Sequence, residues 1–320
     1  MKYDITVDGV TQGLTGMWLE CRKKAFWWSK GYTPKAGSLA LTYGGIGHAV
    51  LQLVYEDIQM RNLDKLPDTH MTKSYIHRVE KAWRKDNPRA DKKSLEYLEL
   101  SLLIAEATLP AYFRYWYKDL KEMKWQKVEN SFAVPLQLGK DEVIFRGKMD
   151  GVFLSSPTRM WLFETKFKGQ IDEESLVDIL PMDFQVLIYL LVLSKLARKT
   201  PAGVLYNVIR RSGLRQKVGE SLPQFAKRCA EDIEKRPDHY FLRLEISITP
   251  SELKKFEEET LTPMIHDFIG WAKNPEGLSY RNSNSCNGRY GRCKYLPLCA
   301  GMKTSLFTKR DRVFPELEAY

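Results

Sequence analysis

The sequence predicts an α/β fold: a strand-rich core that carries a large helical insertion on its N-terminal side and ends in a cysteine-rich tail. Three observations predict it. Apolar residues recur at helical spacing over most of the first 125 residues. Period-two alternation sets in abruptly after Lys124 and holds through three consecutive segments. Beyond them, helical and strand-like stretches alternate as far as Trp271. Of the 320 residues, 43% are hydrophobic and 28% charged, a composition that buries a substantial core and excludes both disorder and a disulfide-stapled miniprotein. We read one domain in three parts: a mainly helical part over 1–125, an α/β core over 126–250, and a C-terminal helix with a cysteine-rich loop over 251–320.

The elements follow in order. Trp18 to Lys30 is an aromatic-rich, basic helix carrying Cys21. Leu39 to Arg61 places Leu39, Ile46, Val50, Leu53, Val54 and Ile58 at helical spacing. Helices over His70–Lys85 and Lys92–Lys121 come next, separated by the Asn87-Pro88 break. Val128–Leu138 and Glu142–Leu154 alternate as strands around a Leu138-Gly139-Lys140-Asp141 turn, and Arg159–Phe167 is the third strand. Asp183 to Leu196 is a helix with Asp183 at its N-cap. Strands over Gly203–Ile209 and Tyr240–Ile248 flank an amphipathic stretch, Leu222–Ile233. A last helix, Ser251–Trp271, opens at Thr249-Pro250 and closes at Asn274-Pro275.

Fifty Lys and Arg against forty Asp and Glu leave a net charge of +10, which favours polyanionic partners, nucleic acid above all. The longest apolar run, Val186 to Leu193, lies between Asp183 and Lys195 and falls far short of the ~20 residues that a membrane span needs. It reads as a buried helix face, so no membrane partner is expected. The first residues lack the apolar core of a secretory signal, and a cytoplasmic location is expected.

Five cysteines occur, an odd number that argues against a disulfide framework. Cys286, Cys293 and Cys299 form a C-x6-C-x5-C triplet among Gly288, Gly291 and Pro297. Three thiolates leave a tetrahedral site one ligand short, and Cys21 is the natural fourth; Cys229 reads as a plain thiol on an amphipathic helix. Four thiolates suit zinc or an iron–sulfur cluster. The sequence lacks the paired short knuckles common in cysteine zinc sites, so a [4Fe–4S] cluster fits better, with structural zinc and unliganded loop thiols as the alternatives. A metal joining Cys21 to Cys286 closes most of the chain into one loop, whose ideal-chain closure entropy is about 5 kcal/mol.

The sharpest chemical signal lies on two consecutive strands. I-F-R-G-K-M-D-G places Asp150 at the tip of the first, and M-W-L-F-E-T-K-F-K places Glu164 and Lys166 on one face of the second, with Thr165 on the other. Two carboxylates converging beside a lysine are costly unless a dication sits between them, and Mg²⁺ or Mn²⁺ takes oxygen ligands of this kind.

Asp150 followed by Glu164-x-Lys166 resembles the PD-(D/E)XK nuclease superfamily, with Met149 where the motif has proline. The resemblance implies a mixed central sheet flanked by helices. It also implies metal-assisted phosphodiester hydrolysis, in which Asp150, Glu164 and the Thr165 carbonyl hold the metal and Lys166 orients or activates water. Q-V-L-I-Y, with Gln185 and Tyr189 on one helical face, looks like the Q-x3-Y motif of RecB-type nucleases, which lies along the DNA. G-G-I-G-H resembles that group's glycine-then-histidine motif, which implies His48 as a further metal ligand. Glu129 matches the place where the family often has a second glutamate.

One early cysteine followed by a late triplet, together with C-R-K-K-A-F-W-W around Cys21, resembles the iron–sulfur branch that includes AddB and the CRISPR-adaptation nucleases. That resemblance implies Cys21, Cys286, Cys293 and Cys299 as cluster ligands. It also implies exonuclease action on single strands or duplex ends, in phage, prophage or prokaryotic recombination, repair or CRISPR adaptation. A non-catalytic DNA-binding or scaffolding subunit with the same fold is the alternative. Lys168, Arg210, Arg211, Arg215 and Lys217 form a basic neighbourhood suited to phosphates, and Tyr206-Asn207 falls where the family carries DNA-facing residues. Trp27, Trp28 and Tyr32 are read as packing around the cluster rather than stacking on bases. The chain has no G-x4-G-K-[ST] loop, so any ATP-driven unwinding falls to a helicase or recombination partner.

Overall fold

The structure, a computed structural model, describes residues 3–35, 37–61, 65–288, 291–301, 304–314 and 317. Its strands, in chain order, are β1 (Val10–Thr11), β2 (Tyr32–Pro34), β3 (Lys124–Leu138), β4 (Asp141–Ser156), β5 (Arg159–Lys168), β6 (Gly203–Arg210), β7 (Phe241–Ser247), β8 (Asn287–Gly288), β9 (Gly291–Arg292) and β10 (Phe307–Lys309). The central sheet is mixed. β3 and β4 form a long hairpin, β5 pairs antiparallel with the far end of β4, β6 runs parallel to β5, and β7 returns antiparallel along β6. The hairpin turns at Gly139, whose φ of +60° is the left-handed conformation such a turn favours in glycine.

The strand period of two assigns alternate side chains to two helical layers. Leu162, Val204 and Val208 join one core with Val186 to Leu193 of the Phe184–Ala197 helix. Trp161, Phe163, Leu205 and Ile209 join the other, built on the Leu39–Arg61, Lys92–Tyr115 and Leu222–Lys235 helices. Residues buried on both faces explain why β6 is apolar along nearly its whole length, with Asn207 as its buried polar exception. In the Leu39–Arg61 helix, Ile46, Val50, Val54 and Ile58 recur every fourth residue and are all buried, so one stripe docks on the sheet. Cys229 is fully buried in that layer. Among the described residues, no single helix is long and apolar enough to cross a membrane.

Three expectations need correction. The Trp18–Lys30 helix is interrupted at Cys21, an extended residue that ends the Gln12–Glu20 helix and starts the Arg22–Ser29 helix. Asp150 is not at a strand tip, because β4 continues to Ser156. The C-terminal helix is not uniform: Pro250–Phe256 passes through a π-helical turn, Glu257–Leu261, before Thr262–Lys273. Pro263 supplies the reason, since it lacks the N–H that an unbroken helix needs there. Smaller differences fall at element ends. The helix expected over Lys92–Lys121 stops at Tyr115 before a short Asp119–Glu122 turn, and Pro237–Tyr240 forms a helical turn ahead of β7.

Candidate metal centre

The site begins where the sheet forks. β4 and β5 pair only from Gly151 opposite Phe163 to Ser156 opposite Arg159. Upstream of Gly151, β4 leaves β5, and farther along the same edge its Phe145 and Arg146 pair with β1 instead. Asp150 and Glu164 are the first residues beyond the last shared pair, so they sit at the fork, where side chains from both helical layers reach.

From the strand side, Asp150 Oδ2 accepts a 2.7 Å hydrogen bond from the Thr165 backbone N–H. Glu164 Oε1 accepts from Lys166 Nζ at 2.5 Å and from Gln185 Nε2 at 3.0 Å, while Gln185 Oε1 accepts from Lys166 at 2.9 Å. Gln185 is oriented by the start of its helix, where Asp183 accepts a 2.9 Å bond from the Val186 N–H. Tyr189, one turn on, is buried edge-on against Phe132.

From the other layer comes His48, whose Nδ1 is 3.5 Å from Asp150 Oδ1 and 3.9 Å from Glu129 Oε1. The glycines before it explain its reach. A Cβ on Gly47 would lie 2.2 Å from the Phe167 ring, so only glycine lets the helix settle on β5, where the His48 ring packs edge-on against the same Phe167. Glu129 sits across from Asp150 in the β3–β4 register, between the pairs Val128–Gly151 and Asn130–Met149. Its φ of +45° is a left-handed conformation in a residue with a side chain, a local strain at the centre of the site. The ligand atoms of His48, Glu129 and Asp150 lie within 4.8 Å of one another.

The electrostatics fit a dication. Burial raises the Asp150 carboxyl to about 6 against the opposing pull of Lys166, and burial with Asp150 raises Glu164 to about 7. Burial first, then Asp150, also raises Glu129. Burial pushes His48 down despite Glu129 and Glu164, which keeps the imidazole neutral and able to ligate. Burial works against the Lys166 charge, but Glu164 and Asp150 outweigh it and hold the ammonium well above the usual lysine range. The most telling atom is Glu164 Oε2, which is buried and, among the described residues, has no hydrogen-bond partner. A buried carboxylate oxygen left bare is costly, a cost that a cation bound against it would remove.

Lys148 belongs to this site and the sequence reading passed over it. Its Nζ lies 2.6 Å from Glu129 Oε2. The signal was present, since Lys148 stands two residues before Asp150 and so on the same strand face. Tyr206 and Asn207 are buried instead of facing outward. Arg210 is turned toward Glu173 and His239, Lys168 lies over the Tyr206 ring, and Arg211 donates its N–H to the Lys168 carbonyl.

The cysteines lie apart from the fork. Asn282 joins two of them, its N–H directed at Cys21 Sγ at 3.4 Å and its carbonyl near Cys286 Sγ. Cys293 donates its N–H to the Cys286 carbonyl at 2.9 Å, and the Trp27 indole N–H points at Cys299 Sγ at 3.3 Å. Asn282 and Ser285 also bond the Glu20 carbonyl, and β2 pairs with β10, so the early and late segments are clasped together. Trp27, Trp28 and Tyr32 pack against Tyr295, Leu298 and Phe307.

The profile of the PD-(D/E)XK nuclease superfamily matches residues 18–300. Among curated proteins, none matches the chain. With the family's mixed sheet, and with Asp150, Glu164 and Lys166 converging on a fork that presents His48 and Glu129, the chain belongs to the PD-(D/E)XK nuclease superfamily, a group of metal-dependent nucleases acting on DNA.

Proposed function

We propose that the protein is a DNA exonuclease of the RecB-like iron–sulfur branch, acting with Mg²⁺ or Mn²⁺ on single strands or the ends of linear duplex in prokaryotic or phage recombination, repair or CRISPR adaptation. The observation that carries this reading is the bare, buried Glu164 Oε2 at a fork shared with Asp150, His48, Lys166 and Gln185.

In this reading Asp150, Glu164, His48 and the Thr165 carbonyl hold the cation, with Glu129 beside them. A divalent cation there supplies Lewis-acid charge for the scissile phosphate and lowers the pKa of water. The chain's own groups do the rest. Lys166, kept as an ammonium, donates hydrogen bonds toward the attacking water and the phosphate; it is an orienting group, since a charged amine has no lone pair for a proton. Gln185 fixes Lys166 and Glu164 relative to each other and faces the approach of the strand, while Tyr189 packs behind it against Phe132. Lys148 offsets the negative charge gathered at Glu129 and Asp150.

Cys21, Cys286, Cys293 and Cys299 are proposed to hold a [4Fe–4S] cluster as a clasp. The N–H groups of Asn282 and Trp27 aimed at two of the sulfurs support it, because thiolate ligands accept such bonds. Structural zinc is the competing occupant; anaerobically purified protein that is colourless with stoichiometric zinc would decide for it.

End-labelled single- and double-stranded oligonucleotides incubated with Mg²⁺ or Mn²⁺ test the activity, its direction and its strand preference together. Asp150→Ala and Lys166→Ala are each expected to lower cleavage at least ~10³-fold while the fold survives. Cleavage at the unaltered rate in both would discard the reading.

A further inference from the structure

Arg243 on β7 is almost fully buried and heads two chains of hydrogen bonds, one ending on Asp150 of the candidate metal centre and the other on Tyr55 of the helix that carries His48. Its guanidinium forks onto Asp119, with bonds of 2.7 Å to each carboxylate oxygen, and lies 4.0 Å from the Trp116 ring centre. Two arms leave this anchor. Along the sheet, Nε donates to Asn207 Oδ1 at 3.0 Å, and Asn207 Nδ2 donates to Thr165 Oγ1 at 3.2 Å. Thr165, Asn207 and Arg243 are direct cross-strand neighbours on β5, β6 and β7, so they form one row. The row continues through the Thr165 N–H to Asp150 Oδ2. Toward the helical layer, the guanidinium donates to Tyr112 Oη at 2.8 Å, and Tyr112 and Tyr55 share a 3.0 Å hydroxyl–hydroxyl bond. Tyr55 stands two turns from His48 on the same face of the Leu39–Arg61 helix.

A buried ion pair of this kind contributes little net stability, because desolvation offsets its attraction, and apolar residues of similar volume often do as well. Its directional bonds supply what apolar packing lacks, a fixed distance. We propose that Arg243 is a positioning residue that sets the spacing between His48, on the helical layer, and Asp150 with Thr165, on the strands, and thereby the affinity of the centre for a divalent cation. The proposal rests on the reading of the fork as a cation site. Asn207, Tyr112 and Tyr55 transmit the constraint and touch neither cation nor substrate.

The test uses the full chain and Mn²⁺ alone, by titration calorimetry without DNA, alongside thermal melting. Arg243→Ala risks misfolding, so each arm is cut at its far end by a change that keeps shape. Tyr55→Phe removes the hydroxyl but keeps the ring stacked on Trp125. Thr165→Val removes the acceptor for Asn207, and Thr165→Ser restores it. Tyr55→Phe and Thr165→Val are each expected to weaken Mn²⁺ binding about tenfold, with Thr165→Ser within about threefold of the unaltered protein. A merely structural role would lower the melting temperature and leave Mn²⁺ affinity alone; affinity within twofold in either variant overturns the proposal. If the unaltered protein binds no Mn²⁺, the cation reading itself falls and takes the proposal with it, which separates the two failures.

Discussion

Glu164 divides its two oxygens between different tasks, one saturated by Lys166 and Gln185 and the other bare. Protons and cations compete for that bare oxygen, and the sign of the competition follows from the pKa shifts. Asp150 and Glu164 rise to about 6 and about 7 from ordinary values of 3.8 and 4.5, chiefly through burial. The folded protein therefore holds protons that the unfolded chain releases. The stability these groups contribute is full below pH ~4 and is lost as pH climbs through 6 and 7. A dication binds the ionised forms and reverses the trend. We predict that the melting temperature in chelator falls between pH 5 and 8, and that the increment from Mn²⁺ grows over the same window. A scanning-fluorimetry series at both conditions checks it, and a Mn²⁺ increment independent of pH would count against the two carboxyls. At this scale much was legible, since Asp150, Glu164, Lys166, Gln185 and His48 were each marked by spacing or resemblance and do converge. Lys148 was legible only as a strand neighbour of Asp150, and the Arg243 network was not legible at all, because its bonds to Asp119 and Tyr112 join residues more than a hundred positions apart and leave no local pattern.

Elements with strong periodicity were legible nearly to the residue. The Leu39–Arg61 helix has the predicted bounds, and Asp183 caps the Gln185 helix as expected. What escaped were interruptions carried by a single residue and pairings too short to have a period. The aromatic run around Cys21 hides its extended turn, and β1, two residues long, gives no alternation. The Asp183 cap links element to site, because Gln185 sits in the first turn that it stabilises. Asp183→Ala is expected to cost about 1 kcal/mol in urea denaturation and to lower cleavage by more than that loss of fold explains. Stability reduced with kcat unchanged would show that Gln185 holds its place without the cap.

Across the whole molecule, the fork and the proposed cysteine clasp are separate constructions on one frame. Closing so much chain with one metal site removes about 5 kcal/mol of unfolded-state entropy by the ideal-chain estimate. Cys286→Ser is accordingly expected to bleach the visible absorption, lower the melting temperature and expose both terminal segments to limited proteolysis while the sheet resists. Unchanged colour would remove Cys286 from the ligand set.

The pairing of β2 with β10 also orders events during synthesis. Residues 32–34 leave the ribosome long before residues 307–309 exist, so the early segment must wait without its partner strand while the sheet and its helices assemble. The nascent chain thus assembles its central sheet, and the fork within it, before the strand pair that latches its two ends together.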